Sequence, residues 1–237
     1  MPLISFFGCL FTAYGPILSL FVVSIGGNAQ LVILALTAAF FWLLSLLIIS
    51  ILWFLIKPLQ DTHTATLAYS VVIQELFRYI FYFIYSKAER GLISVSARPA
   101  SPLNRSSFAF ASGIGYGIIS SATSYITLLA STTGPGMLIS PSCPAVSMAF
   151  TSGLVTMLMS LLHVTWMLVA FDGFGTPGAA GYIRILFVFA SHLAAAYATI
   201  FNGSSIYLGC LYSVLCLLAL LVASSLFALK DLMKRWK

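Results

Sequence analysis

Four ionisable side chains lie inside runs that are otherwise apolar, and their types are those of proton-transfer and metal chemistry. Glu75 and Arg78 stand three residues apart, with Gln74 beside them. On a helix that spacing puts both on one face, where opposite charges pair. His163 and His192 occupy two later apolar runs. An imidazole in hydrocarbon is costly unless partnered, so it is a functional candidate by default. Two histidines and a glutamate are also the ligand types of a catalytic zinc site that keeps one position for water. The same residues suit a structural role equally well. An ion pair can clamp one helix, and two neutral imidazoles can bond to neighbouring hydroxyls or carbonyls. The residues by themselves leave both roles open.

The elements that must position them follow from composition. Apolar types make up 61% of the 237 residues and charged types 7%, with a mean hydropathy of +1.07. Ordinary soluble chains are about 25% charged. No charged residue occurs from 1 to 56, from 106 to 171 or from 185 to 229. Each run is longer than the ~20 apolar residues that cross a bilayer as a helix. Backbone groups in lipid must bond internally, so each span is expected to be helical. Breaks in the pattern predict an all-α, polytopic membrane protein with seven transmembrane helices. Its spans fall at about 4–24, 31–56, 66–85, 108–130, 146–171, 182–201 and 206–229, in a single membrane domain over 1–237. The longest connection is 86–105. With a rise of 1.5 Å per residue, His163 and His192 both lie roughly 12–16 Å from the same membrane face, close enough in depth to meet.

Orientation follows from the basic residues. Lys87, Arg90, Arg98 and Arg105 follow span three, Arg184 opens span six, and Lys230, Lys234, Arg235 and Lys237 follow span seven. With seven spans all of these share one side, while Lys57 is on the other and Arg78 is within a span. The positive-inside rule places the C-terminus in the cytosol and the N-terminus in the lumen or outside. The first span has no basic region before it and is too long for a signal peptide, so it is expected to be retained. The net charge of +6 sits at span ends without interleaved aromatics. That excludes a nucleic-acid face; the C-terminal basic segment instead suits anionic lipid heads.

Smaller features carry expectations too. Gly113, Gly117 and Ser121 recur every fourth residue, a stripe that lets a second helix approach closely, either within the fold or from a separate protein. Cys9, Cys210 and Cys216 lie in apolar runs and are expected to be packing residues; Cys143 lies between spans, and no CxxC spacing indicates metal or redox chemistry. Pro16 should kink span one. Phe40-Phe41-Trp42 reads as lipid contact or core packing, Asp172 as a solvated cytosolic residue, and His63 as a solvated lumenal one. Asn104 lies in a cytosolic sequon and Asn202 in one too close to the membrane to be modified. Ser101-Pro102 is a phosphorylation candidate.

The ordered motifs resemble the Aph-1 family of seven-span γ-secretase subunits. They are Phe7-Gly8-Cys9 with Tyr14-Gly15-Pro16, Phe40-Phe41-Trp42-Leu43, Gln74-Glu75-Leu76-Phe77-Arg78, Ser112-Gly113 through Gly117-Ile118-Ile119-Ser120, Leu162-His163 with Trp166, and Ser191-His192-Leu193. The resemblance extends over nearly the whole chain. It implies a scaffold without catalytic residues or cofactor, which binds nicastrin and then joins presenilin and Pen-2 in an intramembrane aspartyl protease. That protease cleaves Notch-like and amyloid-precursor-like membrane proteins. It also implies residence in the endoplasmic reticulum, Golgi, plasma membrane and endosomes. Gly113, Gly117, Ser121, Glu75, Arg78, His163 and His192 would then serve helix packing and assembly, including docking of the presenilin C-terminus. Ser121 stands where the family usually has a third glycine, and the segment from Lys57 to Gln74 looks shorter than usual.

Two rival classes draw on the same residues or on the span count. Glu75, Arg78, His163 and His192 distantly resemble the constellation of CAAX-type membrane metalloproteases, with Glu75, His163 and His192 as the reactive set. Gln74, however, stands where a second carboxylate is wanted, and the Glu-to-Arg spacing is one residue short. A receptor or transporter rests on the span count alone, with no intramembrane Asp or Lys relay.

Overall fold

A computed structural model of the chain describes residues 2–95, 102–134, 136 and 138–236. Arg98, Ser101 and Lys237 lie outside the described residues. Each long apolar run is helical, as the need to bond every backbone group internally requires. Helix α1 spans Pro2–Leu20 and continues as a π-helical turn, Phe21–Ile25; α2 spans Ala29–Leu55, α3 Lys57–Asp61 and α4 His63–Val95. Helix α5 spans Pro102–Ser131, α6 Met148–Gly175, α7 Ala179–Ala198 and α8 Gly209–Trp236, with a 3-10 turn over Thr199–Gly203. Seven of these are long and apolar enough to cross a membrane; the five-residue α3 is not. Asn28 caps α2, its Oδ1 accepting from the Gln30 and Leu31 N–H groups, and Ser147 caps α6 by accepting from Phe150 N–H. Each cap satisfies a donor that the first helical turn leaves free.

Two connections differ from expectation. The segment 86–105 was expected to be loop, but helices enter it from both ends. Lys87-Ala88-Glu89-Arg90 are good helix formers, and Pro102 suits the first position of α5, where no N–H is needed. Between α5 and α6, β1 (Ile139–Ser140) and β2 (Cys143–Ser147) pair antiparallel. Strands this short carry too little alternation to be read from sequence.

Helix α6 is the axis of the bundle. It packs against α1, α5, α7 and α8 and touches α4, and 61% of its spanning window is buried, against 17% for α1. Lipid is as apolar as the helices, so what draws α6 inside is close packing through small residues. Glycines set its distance from α5: a Cβ on Gly113 would lie 2.7 Å from the Val164 Cα, and one on Gly117 2.6 Å from the Ser160 carbonyl oxygen. Between them, Gly115 faces the other way, against the backbone of Ala35 in α2. Of the bulky triplet in α2, Trp42 is buried and Phe40 faces outward, while Phe41 packs beside Phe81.

One end of the bundle carries α3, the hairpin and the 3-10 turn; the other carries the α6–α7 turn and the C-terminal end of α8. At the second end Asp172 departs from expectation. It is 13% exposed and paired with Arg184 at 2.8 Å, because Gly173 and Gly181 let α6 and α7 come close enough that a Cβ on Gly181 would lie 2.7 Å from the Gly173 carbonyl oxygen. Arg184 also meets Asp231 of α8 through Nε and Nη2, each at 2.9 Å. At the hairpin end Cys210 departs likewise. It is not a free packing residue but is disulfide-bonded to Cys143, 67 positions away; only the folded chain brings α8 beside β2.

Candidate functional site

Three helices deliver the four ionisable residues to one place. Helix α4 supplies Glu75 and Arg78, whose Nη1 donates to both carboxylate oxygens at 2.7 and 2.9 Å. Arg78 is fully buried, and its Nη2 reaches across to His163 Nδ1 of α6 at 3.3 Å. His192 of α7 approaches the same carboxylate from the other side, Nδ1 to Glu75 Oε1 at 2.6 Å. The partners set the tautomers. A guanidinium only donates, so His163 Nδ1 accepts; a carboxylate held by Arg78 only accepts, so His192 Nδ1 donates.

Aromatic rings enclose this chain of bonds. Trp166 stacks on His192 with ring centres 4.4 Å apart and meets His163 edge-on at 5.3 Å. The Arg78 guanidinium lies 5.6 Å from the centre of the Tyr116 ring and 5.9 Å from that of Trp166, within the range of cation–π attraction. His163 and His192 do meet, their rings 5.4 Å apart and nearly perpendicular, but each bonds to a charged partner instead of to the other.

Of the cluster, His163 and His192 line a cavity of about 350 Å³ that runs between α4, α5, α6 and α7 towards the hairpin end. Its walls carry hydroxyls from Ser70, Ser120, Ser124 and Thr156 as well as the Gln74 amide. Glu75 faces the other way and borders a largely apolar outer groove beside Tyr79, Phe174 and Tyr182. Here the carboxylate is 14% exposed.

The small-residue stripe is placed separately. Gly113, Gly117 and Ser121 all turn inward: the first two meet α6, and Ser121 is buried with its carbonyl accepting from Tyr14 of α1. Sequence reasoning did not find Tyr116, the hydroxyl lining or the Arg105 latch. Arg105, counted only as a topogenic charge, donates from Nη2 to the Tyr82 hydroxyl at 2.6 Å and the Phe171 carbonyl at 2.8 Å. A basic residue sixty-six positions from its acceptor leaves no local pattern to read.

The arrangement bears on metal chemistry. Among the described residues no three of His, Cys, Asp or Glu stand where they could hold one ion. His163 presents its accepting nitrogen to a guanidinium, a cation that would repel a second cation placed there.

The profile of the family described as Aph-1 protein matches residues 4–234. The γ-secretase subunit Aph-1 of Drosophila melanogaster is 38% identical over 207 residues, covering 87% of this chain and 85% of its own length. The γ-secretase subunit APH-1B of Homo sapiens is 38% identical over 178 residues, covering 71% and 68% respectively. A γ-secretase subunit APH1-like protein of Arabidopsis thaliana is 29% identical over 206 residues, covering 84% and 81%.

Proposed function

Because the chain belongs to the Aph-1 family, we propose that it is a non-catalytic scaffold subunit of a γ-secretase complex, working as one seven-helix unit. Its partners in this reading are nicastrin, presenilin and Pen-2, with presenilin supplying the catalytic aspartates. The complex would cleave Notch-like and amyloid-precursor-like single-span proteins within the secretory and endosomal membranes. The C-terminus faces the cytosol, as the distribution of Lys and Arg requires under the positive-inside rule.

The observation that supports the scaffold role is the pairing of the buried ionisable groups with one another. Glu75 is bound by Arg78 and His192, and Arg78 also reaches His163. A general base must have a lone pair directed at substrate or water, and here the carboxylate is occupied from two sides. The cluster therefore joins α4, α6 and α7, while Gly113, Gly117 and Ser121 set α5 against α6 and α1. The outer faces so fixed are what partner helices read. A CAAX-type metalloprotease is the weaker reading, since Arg78 bonds to both Glu75 and His163, two of its three would-be reactive residues.

Rescue tests the proposal. Introduced into cells lacking their own copy of this subunit, the chain is expected to restore presenilin maturation and cleavage of a Notch-like reporter. Gly117→Leu and His163→Ala should leave the chain inserted but reduce its recovery with presenilin. Failure of the well-expressed wild-type chain to rescue, or peptide-bond cleavage by the lone chain in liposomes, would overturn it.

A further inference from the structure

Two loops far apart in sequence are tied together at the hairpin end. Cys143, which opens β2, and Cys210, in the first turn of α8, are joined with their Cα atoms 6.1 Å apart, and both are buried. The hydroxyls of Ser140 and Ser142 both donate to the Asn202 carbonyl oxygen, at 3.0 and 2.9 Å. The Leu208 N–H donates to the Ser142 carbonyl at 3.0 Å. To do so Leu208 adopts a φ of 58°, a left-handed conformation that is uncommon for a branched side chain. Gly209 lies so close to the Phe201 carbonyl that any Cβ would collide. The 3-10 turn held by these contacts includes Thr199, which lines the polar cavity together with Ala196 and His192 of α7.

We propose that Cys143 and Cys210 are an oxidative modification site that closes the hairpin end and fixes the α7 wall of the cavity. Two thiols lose two electrons and two protons as the bond forms. A protein disulfide of the lumenal oxidoreductase type accepts them: one thiolate attacks it to give a mixed disulfide, the second displaces that partner, and the oxidant leaves as a dithiol. Such bonds persist in oxidising compartments and not in the cytosol. The hairpin end therefore faces the lumen or the cell exterior, a conclusion reached without counting Lys and Arg. Cys9, buried in α1, and Cys216, exposed on α8, remain free thiols and act as internal controls. The inference stands apart from membership of any complex.

The test uses the full chain in membranes of cells that express it. Free thiols are blocked in denaturant with N-ethylmaleimide, the disulfide is reduced, and newly released thiols receive a polyethylene-glycol maleimide. The wild-type chain is expected to gain two tags, and only after reduction; Cys143→Ser or Cys210→Ser should gain none. No tag in either condition would overturn the modification, and this readout needs no variant to fold. For the wall, reductant should lower the thermal midpoint of the detergent-solubilised wild type by ~5 °C and speed proteolysis within 199–208 several-fold. The Cys143→Ser/Cys210→Ser chain should be indifferent to reductant. A disulfide that forms but whose reduction changes neither measurement would overturn its role in the cavity wall.

Discussion

Arg78 has no exposed surface, and among the described residues the Glu75 carboxylate is its one ionised partner. Removing one member of a buried pair leaves an uncompensated charge and costs about 3–5 kcal/mol, whereas replacing both with apolar groups of similar volume is often close to neutral. Glu75→Gln is therefore expected to lower stability by an amount of that order. The double variant Glu75→Leu/Arg78→Met should be less damaging than either single charge removal, apart from the bonds then missing at His163 and His192. Thermal unfolding in detergent, followed by tryptophan fluorescence, checks the order; a double variant worse than both singles would contradict it. The three-residue spacing made the Glu75–Arg78 pair legible in the sequence, and helix rise placed the two histidines at matching depth. That Arg78 reaches His163 and Glu75 reaches His192 was not legible, because those bonds span 85 and 117 positions and depend on how three helices are rotated.

Among the elements, α5 shows most directly how small residues set geometry. Gly113 and Gly117 press on α6 while Gly115 presses on α2, so one helix is clasped on both sides through residues that look interchangeable in sequence. The spacing of four indicated close packing but left its partner undetermined. Gly117→Ala should cost about 1–3 kcal/mol by overpacking, since its Cβ would lie 2.6 Å from a backbone oxygen that has no freedom to rotate away. Gly8→Ala is the opposite case. Nothing lies within 4 Å of the added carbon, so the gain of alanine over glycine inside a helix, about 0.5–1 kcal/mol, should appear unopposed. Equal midpoints for the two alanine variants would contradict the assignment of the α5 face. The hairpin was not legible, and helix extends into 86–105 where a loop is expected, because strand pairing and helix ends are decided by neighbours as much as by local propensity.

For the whole molecule, closure at the end opposite the hairpin depends on Arg184 joining α6, α7 and α8 through Asp172 and Asp231. Because Arg184 has two carboxylates, Asp172→Asn or Asp231→Asn should each cost about 1 kcal/mol. Together they strand a largely buried cation and should cost about 3–5 kcal/mol, a non-additivity that unfolding of the three variants measures. Orientation is a second prediction at this scale: a C-terminal epitope should be reached by antibody only after the plasma membrane is permeabilised, and labelling of intact cells would reverse the topology. Composition and periodicity determined that the chain has seven spanning helices, since hydrocarbon forces every apolar run of sufficient length to bond its own backbone. Residue type and spacing likewise marked Glu75, Arg78, His163, His192 and the glycine stripe. Only the tertiary structure decided which polar atoms pair, which helix each glycine meets, that Cys143 finds Cys210 and that Asp172 is drawn inward. Those outcomes depend on the relative rotation and approach of helices, which is set by packing against distant neighbours and leaves no periodic trace along the chain.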